Sequence, residues 1–303
     1  MSSRQKRRFH ASSTFLNRNS MIQYTLAPLY KRSTTVDISS MAVMAYGGDF
    51  SDLPASTSSG ILFGNSLGGV WISHTLPGFP NLTMRGPPLI SEKDYDKGHM
   101  IMCLRLNLMT LNKIAAVVKH TEFKITDFSL PQSLRSSLLE WARIERDPSQ
   151  RGINPSQTKL LNFSTRNKLL QGKILVRGAD DSRNLYHTFA KMQRIVLDVY
   201  NSNYEYPKPT CQRVYSLRYM EKISINFPEQ KVCYIPRKND KTSFGVSTGA
   251  VWQRSGRNSA QYWTCIGDHD RHGYLAKGGL LTCAEDYSLW FGFDNFKTKE
   301  PEC

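Results

Sequence analysis

The residues best placed to do chemistry in this chain are its histidines, and the most pointed stands in Gly-Gly-Val-Trp-Ile-Ser-His-Thr-Leu-Pro-Gly-Phe-Pro, residues 68–80. An apolar run ends there on His74 and turns at once through prolines. An imidazole at the end of a strand can serve as nucleophile or proton-transfer group near neutral pH. It can equally be a hydrogen-bonded residue with no reaction to serve, so its partners decide. His269 and His272, with Asp268 and Asp270 in Gly-Asp-His-Asp-Arg-His-Gly, have the residue types of a metal pair. Their turn-like setting offers neither a helix face nor a third ligand, and they read as structural or solvent-exposed. His187 falls in a helical stretch and reads as a surface or satisfied residue, while His99 and His120 have no partner visible along the chain.

The 303-residue chain is long enough to bury a sizeable core, as one domain or as two units of about 150 residues. Forty Lys and Arg against 25 Asp and Glu leave a net charge of +15. That balance favours contact with DNA or another polyanion, such as an anionic glycan. No run of 18 apolar residues occurs, which excludes a transmembrane helix. Residues 1–35 carry seven Lys and Arg and no acid, without the apolar segment of a secretory signal. They are compatible with a transit peptide, a nuclear-localisation run or a start upstream of the true domain, and residues 1–40 are expected to form a basic, flexible leader.

The six cysteines point elsewhere. Cys211, Cys265, Cys283 and Cys303 crowd the last third without the C-x-x-C pairs of a structural zinc site. A disulfide framework, and with it an oxidising compartment, is the better reading. Two glycosylation triplets, at Asn81 and Asn162, agree with it. Disulfides without a signal are reconciled by an incomplete N-terminus.

These groups need elements to hold them. Gly60–Phe63 and Val70–His74 flank a Gly/Asn/Ser turn and read as a hairpin. The run His99–Leu108 reads as a buried strand. Thr110–His120 and Leu130–Ile144 carry helical spacing, the second started by Pro131 and Ser133. Residues 147–158 read as a loop, and 180–200 as one helix opened by Asp180 and Asp181. Short strands dominate thereafter, so the fold class is α/β in the mixed α+β sense. Shifting the sequence by 192 residues lays 57–71 over 249–263, with Gly64 on Gly256 and Trp71 on Trp263. That suggests a pseudo-two-fold protein whose halves supply equivalent hairpins.

On these segments the chain resembles the deoxyribonuclease II family, the acid endonuclease branch of the phospholipase D superfamily. The match runs through Gly60–Pro80, Gly98–Leu106, Gly178–Tyr186 and, most strongly, Trp263–Cys283, with Cys303 twenty residues beyond. The resemblance implies a single domain over residues 41–303, made of two pseudo-symmetric halves, each with a β-sheet flanked by helices and dividing near 195–210. It implies two His-x-Lys motifs facing one another over a phosphodiester. One histidine attacks phosphorus, the other protonates the leaving oxygen, and the lysines offset phosphoryl charge without metal or other cofactor. It also implies bridges Cys265–Cys283 and Cys211–Cys303, leaving Cys103 and Cys233 free or paired with each other.

The chain departs from that pattern at the positions that matter. The first motif falls on Thr57-Ser58-Ser59, where Thr57 replaces histidine and Ser59 replaces lysine. The second falls on Gly249-Ala250-Val251, where Gly249 replaces histidine and Val251 lysine. Threonine is no substitute for a nucleophilic imidazole without its own base, and glycine offers nothing, so the covalent route should be lost. The expectation is a secreted or lysosomal pseudonuclease that binds DNA or another polyanion, as a monomer or homodimer. The alternatives are an acid endonuclease rewired around His74, and a protein-binding module whose charge is incidental.

Overall fold

The alternation of apolar residues with short polar turns gives this chain two sheets, and helices cover the apolar faces those sheets would otherwise expose. In a computed structural model, residues 21–30, 40–47, 58–76, 98–147, 157–201 (save 179 and 182), 209–227, 232–234, 242–251, 261–267 and 278–298 are described. The first sheet is built from β1 (Ala42–Tyr46), β2 (Ser59–Asn65), β3 (Gly68–His74), β4 (Ile101–Leu106) and β5 (Ile125–Ser129), in the order β4-β3-β2-β1-β5. The second contains β6 (Thr158–Ser164), β7 (Gln171–Arg177), β8 (Ile195–Asn201), β9 (Thr210–Cys211), β10 (Ser216–Tyr219), β13 (Ser243–Val251), β14 (Trp263–Gly267) and β15 (Gly279–Glu285). Its order is β6-β7-β15-β14-β13-β8-β10-β9. A small ribbon pairs β11 (Ile225–Phe227) with β12 (Val232–Tyr234).

Five helices supply the other layers: α1 (Met21–Tyr30), α2 (Leu108–Lys119), α3 (Leu139–Arg146), α4 (Leu185–Gln193) and α5 (Tyr287–Asp294). Val43, Ala45, Ile61, Phe63 and Ile72 on one face of the first sheet meet Leu26 and Leu29 of α1. The opposite face turns Met44, Tyr46, Leu62 and Trp71 to Ile114 and Val118 of α2 and Trp141 of α3. That same core takes in Phe163, Ile174, Val176 and Leu280 of the second sheet, so α2 and α3 lie between the sheets. On β13, Phe244 and Val246 pack with Phe293 beneath α5, while Gly245 between them faces Tyr186 of α4. The layers therefore run α1, first sheet, α2 with α3 and α5, second sheet, α4.

A pseudo-two-fold relation is visible in the connectivity. The order β4-β3-β2-β1-β5 matches β15-β14-β13-β8-β10. Helix α1 precedes β1 as α4 precedes β8, and α2 follows β4 as α5 follows β15. The outermost pair breaks the match, since β5 is antiparallel to β1 but β10 is parallel to β8. The change of sheets falls between Ser129 and Thr158, and residues 195–201 form an interior strand of the second sheet, so a division near 195–210 does not coincide with it.

Several local expectations are corrected. Residues 21–30, expected within a flexible leader, form α1, whose fully buried Leu26 and Leu29 each contribute about 1.5–3 kcal/mol of burial. The run expected as a buried strand is the edge strand β4, with Leu104 and Leu106 buried and Cys103 and Arg105 exposed. The helix expected from Pro131 is a 3₁₀ turn over Gln132–Leu134, and α3 starts only at Leu139. The helix expected over 180–200 splits. Asn184 caps α4 by accepting from His187 N, and Arg194 closes it at φ 56°. Ile195–Tyr200 then alternates as β8, because β-branched Ile195 and Val199 favour a pleated strand. Trp71 faces α3 within the inner core whereas Trp263 packs on Phe189 of α4, at 5.2 Å between ring centroids. The two tryptophans thus occupy opposite faces of their sheets and are not packing equivalents, and the middle of the second segment, 252–260, lies outside the described residues.

Candidate functional site

The β2–β3 hairpin sets Ser59 directly opposite His74 in the ladder, and Gly60 opposite Ser73. The first motif position is thereby brought beside the histidine that the sequence singled out. Thr57 lies outside the described residues. Ser58 and Ser59 are both buried, as is His74, which is only 2% exposed. The backbone fits closely around them. Gly47, at φ 98°, abuts the Ser59 side chain, so a Cβ at position 47 would collide with it. Gly60 lies against the Tyr46 hydroxyl, which in turn accepts from Trp71 Nε1 at 3.0 Å.

His74 is oriented by its own turn. The Leu76 backbone N–H donates to Nδ1 at 3.2 Å, so in the neutral ring the proton resides on Nε2. Beyond it, Thr75 N donates to Met100 O, and Met100 N donates to the Thr75 hydroxyl, both at 3.0 Å. His99 Nδ1 donates to Thr75 O at 3.2 Å. Met100 then reaches the core around Phe244 and Phe293, so this end of the first sheet adjoins β13 and α5 of the second. With Nδ1 holding a backbone proton, neutral His74 presents a donor at Nε2 and no free lone pair there. A nucleophilic His74 requires the tautomer to switch and the Leu76 bond to break.

The expected second motif position, Gly249–Val251, lies on β13. Between Ser247 and Val251 the pairing with β8 slips, Val251 ending opposite Ile195. Gly249 sits in this bulge at φ 74°, a conformation that glycine adopts and a histidine does not without strain. Tyr262 and Trp290 wall it in at ordinary van der Waals distance. Trp290 Nε1 donates to Ser247 O at 2.5 Å, and the Ser247 hydroxyl donates to Gln261 O and accepts from Trp263 N.

Beside the bulge opens a cavity of 360 Å³ lined by Val196, Arg218, Thr248, Trp290, Asp294 and Lys297. Its floor is an ion network the sequence reading missed. Asp198 is fully buried and takes Arg218 through Nε at 2.7 Å and Nη2 at 2.9 Å, and Lys297 at 2.8 Å. Lys297 also bridges to Asp294 at 2.6 Å. Burial pulls the Lys297 ammonium down, but the carboxylates of Asp198 and Asp294 outweigh it and hold its pKa above the usual value. One signal was available: an aspartate alone in the apolar run Ile-Val-Leu-Asp-Val-Tyr demands a buried counter-charge.

The segment Gly178–Tyr186 is a structural latch. Asp181 accepts from Thr158 Oγ1 at 2.7 Å, from Arg183 Nε and Nη2 at 2.8 Å each, and from Arg183 N at 3.0 Å. Burial raises its carboxyl pKa, and these donors more than reverse that, leaving it below the ordinary value. The remaining histidines are placed as structural groups. His120 is buried at the end of α2 and donates from Nε2 to Gln157 O at 2.6 Å. Burial holds its pKa below the usual range. His187 meets Tyr215 edge-on at 5.4 Å and is lowered by burial and by Lys191. His269, His272, Asp268 and Asp270 lie outside the described residues, and among the described residues no three His, Cys, Asp or Glu groups converge for a metal.

Cys265 and Cys283 form a disulfide across the paired strands β14 and β15. Cys211 is disulfide-bonded, and its expected partner, Cys303, lies outside the described residues. Cys103 is free, which removes the pairing with Cys233. Asn162 is exposed on the edge strand β6, and Asn81 lies outside the described residues.

Two sheets joined by a shared helical layer, with the hairpin His74 and the β13 bulge at adjoining ends, define a mixed α/β frame. The deoxyribonuclease II family model matches residues 1–303, and the chain belongs to that family. It is 23% identical over 302 residues to cell death-related nuclease 6 of Caenorhabditis elegans, covering 94% of this chain and 74% of that protein. It is 22% identical over 251 residues to deoxyribonuclease-2 of the same organism, covering 80% of this chain and 60% of that one. No described helix is long and apolar enough to cross a membrane.

Proposed function

We propose that this protein is a deoxyribonuclease II relative that binds DNA or another polyanion without cutting it, in an oxidising secretory or lysosomal setting. The observation that supports the reading is the setting of Ser59 and Gly249, which stand at two of the expected motif positions. Ser59 is buried with its side chain against the Gly47 backbone, and Gly249 holds a left-handed backbone in which a side chain is strained. Catalysis by this family's route needs a nucleophilic imidazole and cations at those places, and removal of a cooperating set leaves little of it. The protonation of His74, set by Leu76, argues against a replacement nucleophile there. The net charge of +15 supports retained polyanion contact. The buried Cys265–Cys283 bridge supports the oxidising setting, and exposed Asn162 would accept a glycan there.

The test is a plasmid-cleavage assay near pH 5 in EDTA beside a binding titration. Supercoiled plasmid should stay intact, while binding should weaken steeply between 50 and 300 mM salt, roughly by the counterion law for phosphate contacts. Cutting that scales with pure protein, and disappears in His74→Ala, would establish the rewired enzyme instead. Salt-insensitive binding would favour a protein partner.

A further inference from the structure

Helix α5 carries an aromatic face that the core does not account for. Its Tyr287 and Phe291 stand four residues apart, on one side of the helix, 53% and 45% exposed. Their rings stack at 25° with centroids 6.0 Å apart. Tyr262 and Trp290 extend the cluster, each ring lying 4.8–5.7 Å from its neighbours. Two large exposed aromatics continuous with two half-buried ones form a surface that folding alone does not require. The same Tyr262 and Trp290 wall Gly249, and Trp290 also lines the cavity above Arg218 and Lys297. The cluster therefore borders the second motif position. Of the acids flanking the helix, Asp286 is spent capping it, accepting from Leu289 N, Asp294 is held by Lys297, and Glu285 is exposed at the end of β15.

We infer that Tyr262, Tyr287, Trp290 and Phe291 form a stacking platform for the unpaired bases of single-stranded DNA, laid beside the β13 bulge. The inference rests on the polyanion-binding reading and makes it specific. A net charge of +15 draws in the phosphate backbone but does not distinguish duplex from single strand. Exposed aromatic rings do, because a base presents its π-face only when it is out of the duplex stack. A second copy of the chain or an apolar protein partner would use the same rings without the charge, and the net charge favours the nucleic acid.

The experiment uses three fluorescent 20-mers: oligo-dT, an abasic strand with the same phosphates, and a duplex. Titrations compare the full chain with Tyr287→Ala/Phe291→Ala, whose folding is checked by thermal melting. Both side chains are substantially exposed, so the variant should melt like the parent. The parent should bind oligo-dT more tightly than the abasic strand, and the variant should lose about ten-fold or more on oligo-dT alone. The conservative pair Tyr287→Phe/Phe291→Tyr should retain parental affinity. An unchanged oligo-dT affinity in the alanine variant overturns the platform while leaving polyanion binding intact. Equal losses on oligo-dT and the abasic strand overturn it as well, since the effect is then not on bases. If the parent dimerises through this face, size-exclusion shows the variant monomeric with oligo-dT affinity unaltered, which assigns the rings to a second copy. Failure of the parent to bind any of the three strands overturns DNA as the polyanion of the proposed function, and the platform with it.

Discussion

At Gly249 the backbone, rather than the space, decides which residue is tolerated. A Cβ there would meet Tyr262 at 3.5 Å and Trp290 at 3.7 Å, ordinary contacts, yet φ is 74°. Gly249→Ala should therefore destabilise the protein by about 1–2 kcal/mol through conformation alone. Gly249→Asn should cost less than half of that, because asparagine tolerates the left-handed region. Urea melts of the two variants check it, and equal losses would mean that crowding is the cause. The landmark around His74 made the expected motif positions, Thr57, Ser59, Gly249 and Val251, legible through the family resemblance. The backbone at Gly249 was not legible, since a positive φ at a glycine within a strand leaves no pattern in residue type.

Among the elements, the hairpin of β2 and β3 was legible because its alternation and two-residue turn are local. So was α2, whose Leu111, Ile114, Ala115 and Val118 recur at helical spacing. What failed were transitions between periods. The apolar residues of 185–200 satisfy a helix and then a strand, and only the left-handed cap at Arg194 marks the change. The edge position of β4 and the docking of α1 are likewise set by distant partners, which no local window contains. The β14–β15 pair gives a prediction at this scale. The bridge between Cys265 and Cys283 closes a separation of 18 residues, so replacing both by serine should cost about 3 kcal/mol. Both sulfurs are buried beside Leu281 and α4, which adds a desolvated hydroxyl at each site. Guanidinium unfolding of the double-serine variant beside the parent, without reductant, measures it. A parent whose midpoint ignores reductant, under conditions shown to open the bridge, would refute the assignment.

For the molecule as a whole, two sheets share one helical layer, and two buried polar groups tie the second sheet to the helices on its two faces. Asp181 ties β6 to the approach of α4, and His120 ties the end of α2 to Gln157 just before β6. Both pKa values are lowered on folding, His120 by burial and Asp181 by its donors against the opposing effect of burial. The sign is the same for each: the unfolded chain binds the proton more readily, so stability is held at high pH and lost on acidification. The windows differ. His120 contributes fully above the ordinary histidine pKa near 6.5, and its contribution falls away as pH drops through its lowered folded value. Asp181 contributes above about 3.9 and is lost only in stronger acid. The melting temperature should therefore fall in two stages between pH 8 and pH 2. Replacing His120 by glutamine, which keeps a donor for Gln157 O, should flatten the upper stage. Asp181→Asn should lower stability at neutral pH and flatten the lower one. If His120→Gln leaves the upper stage unchanged, a different histidine controls the response to acid.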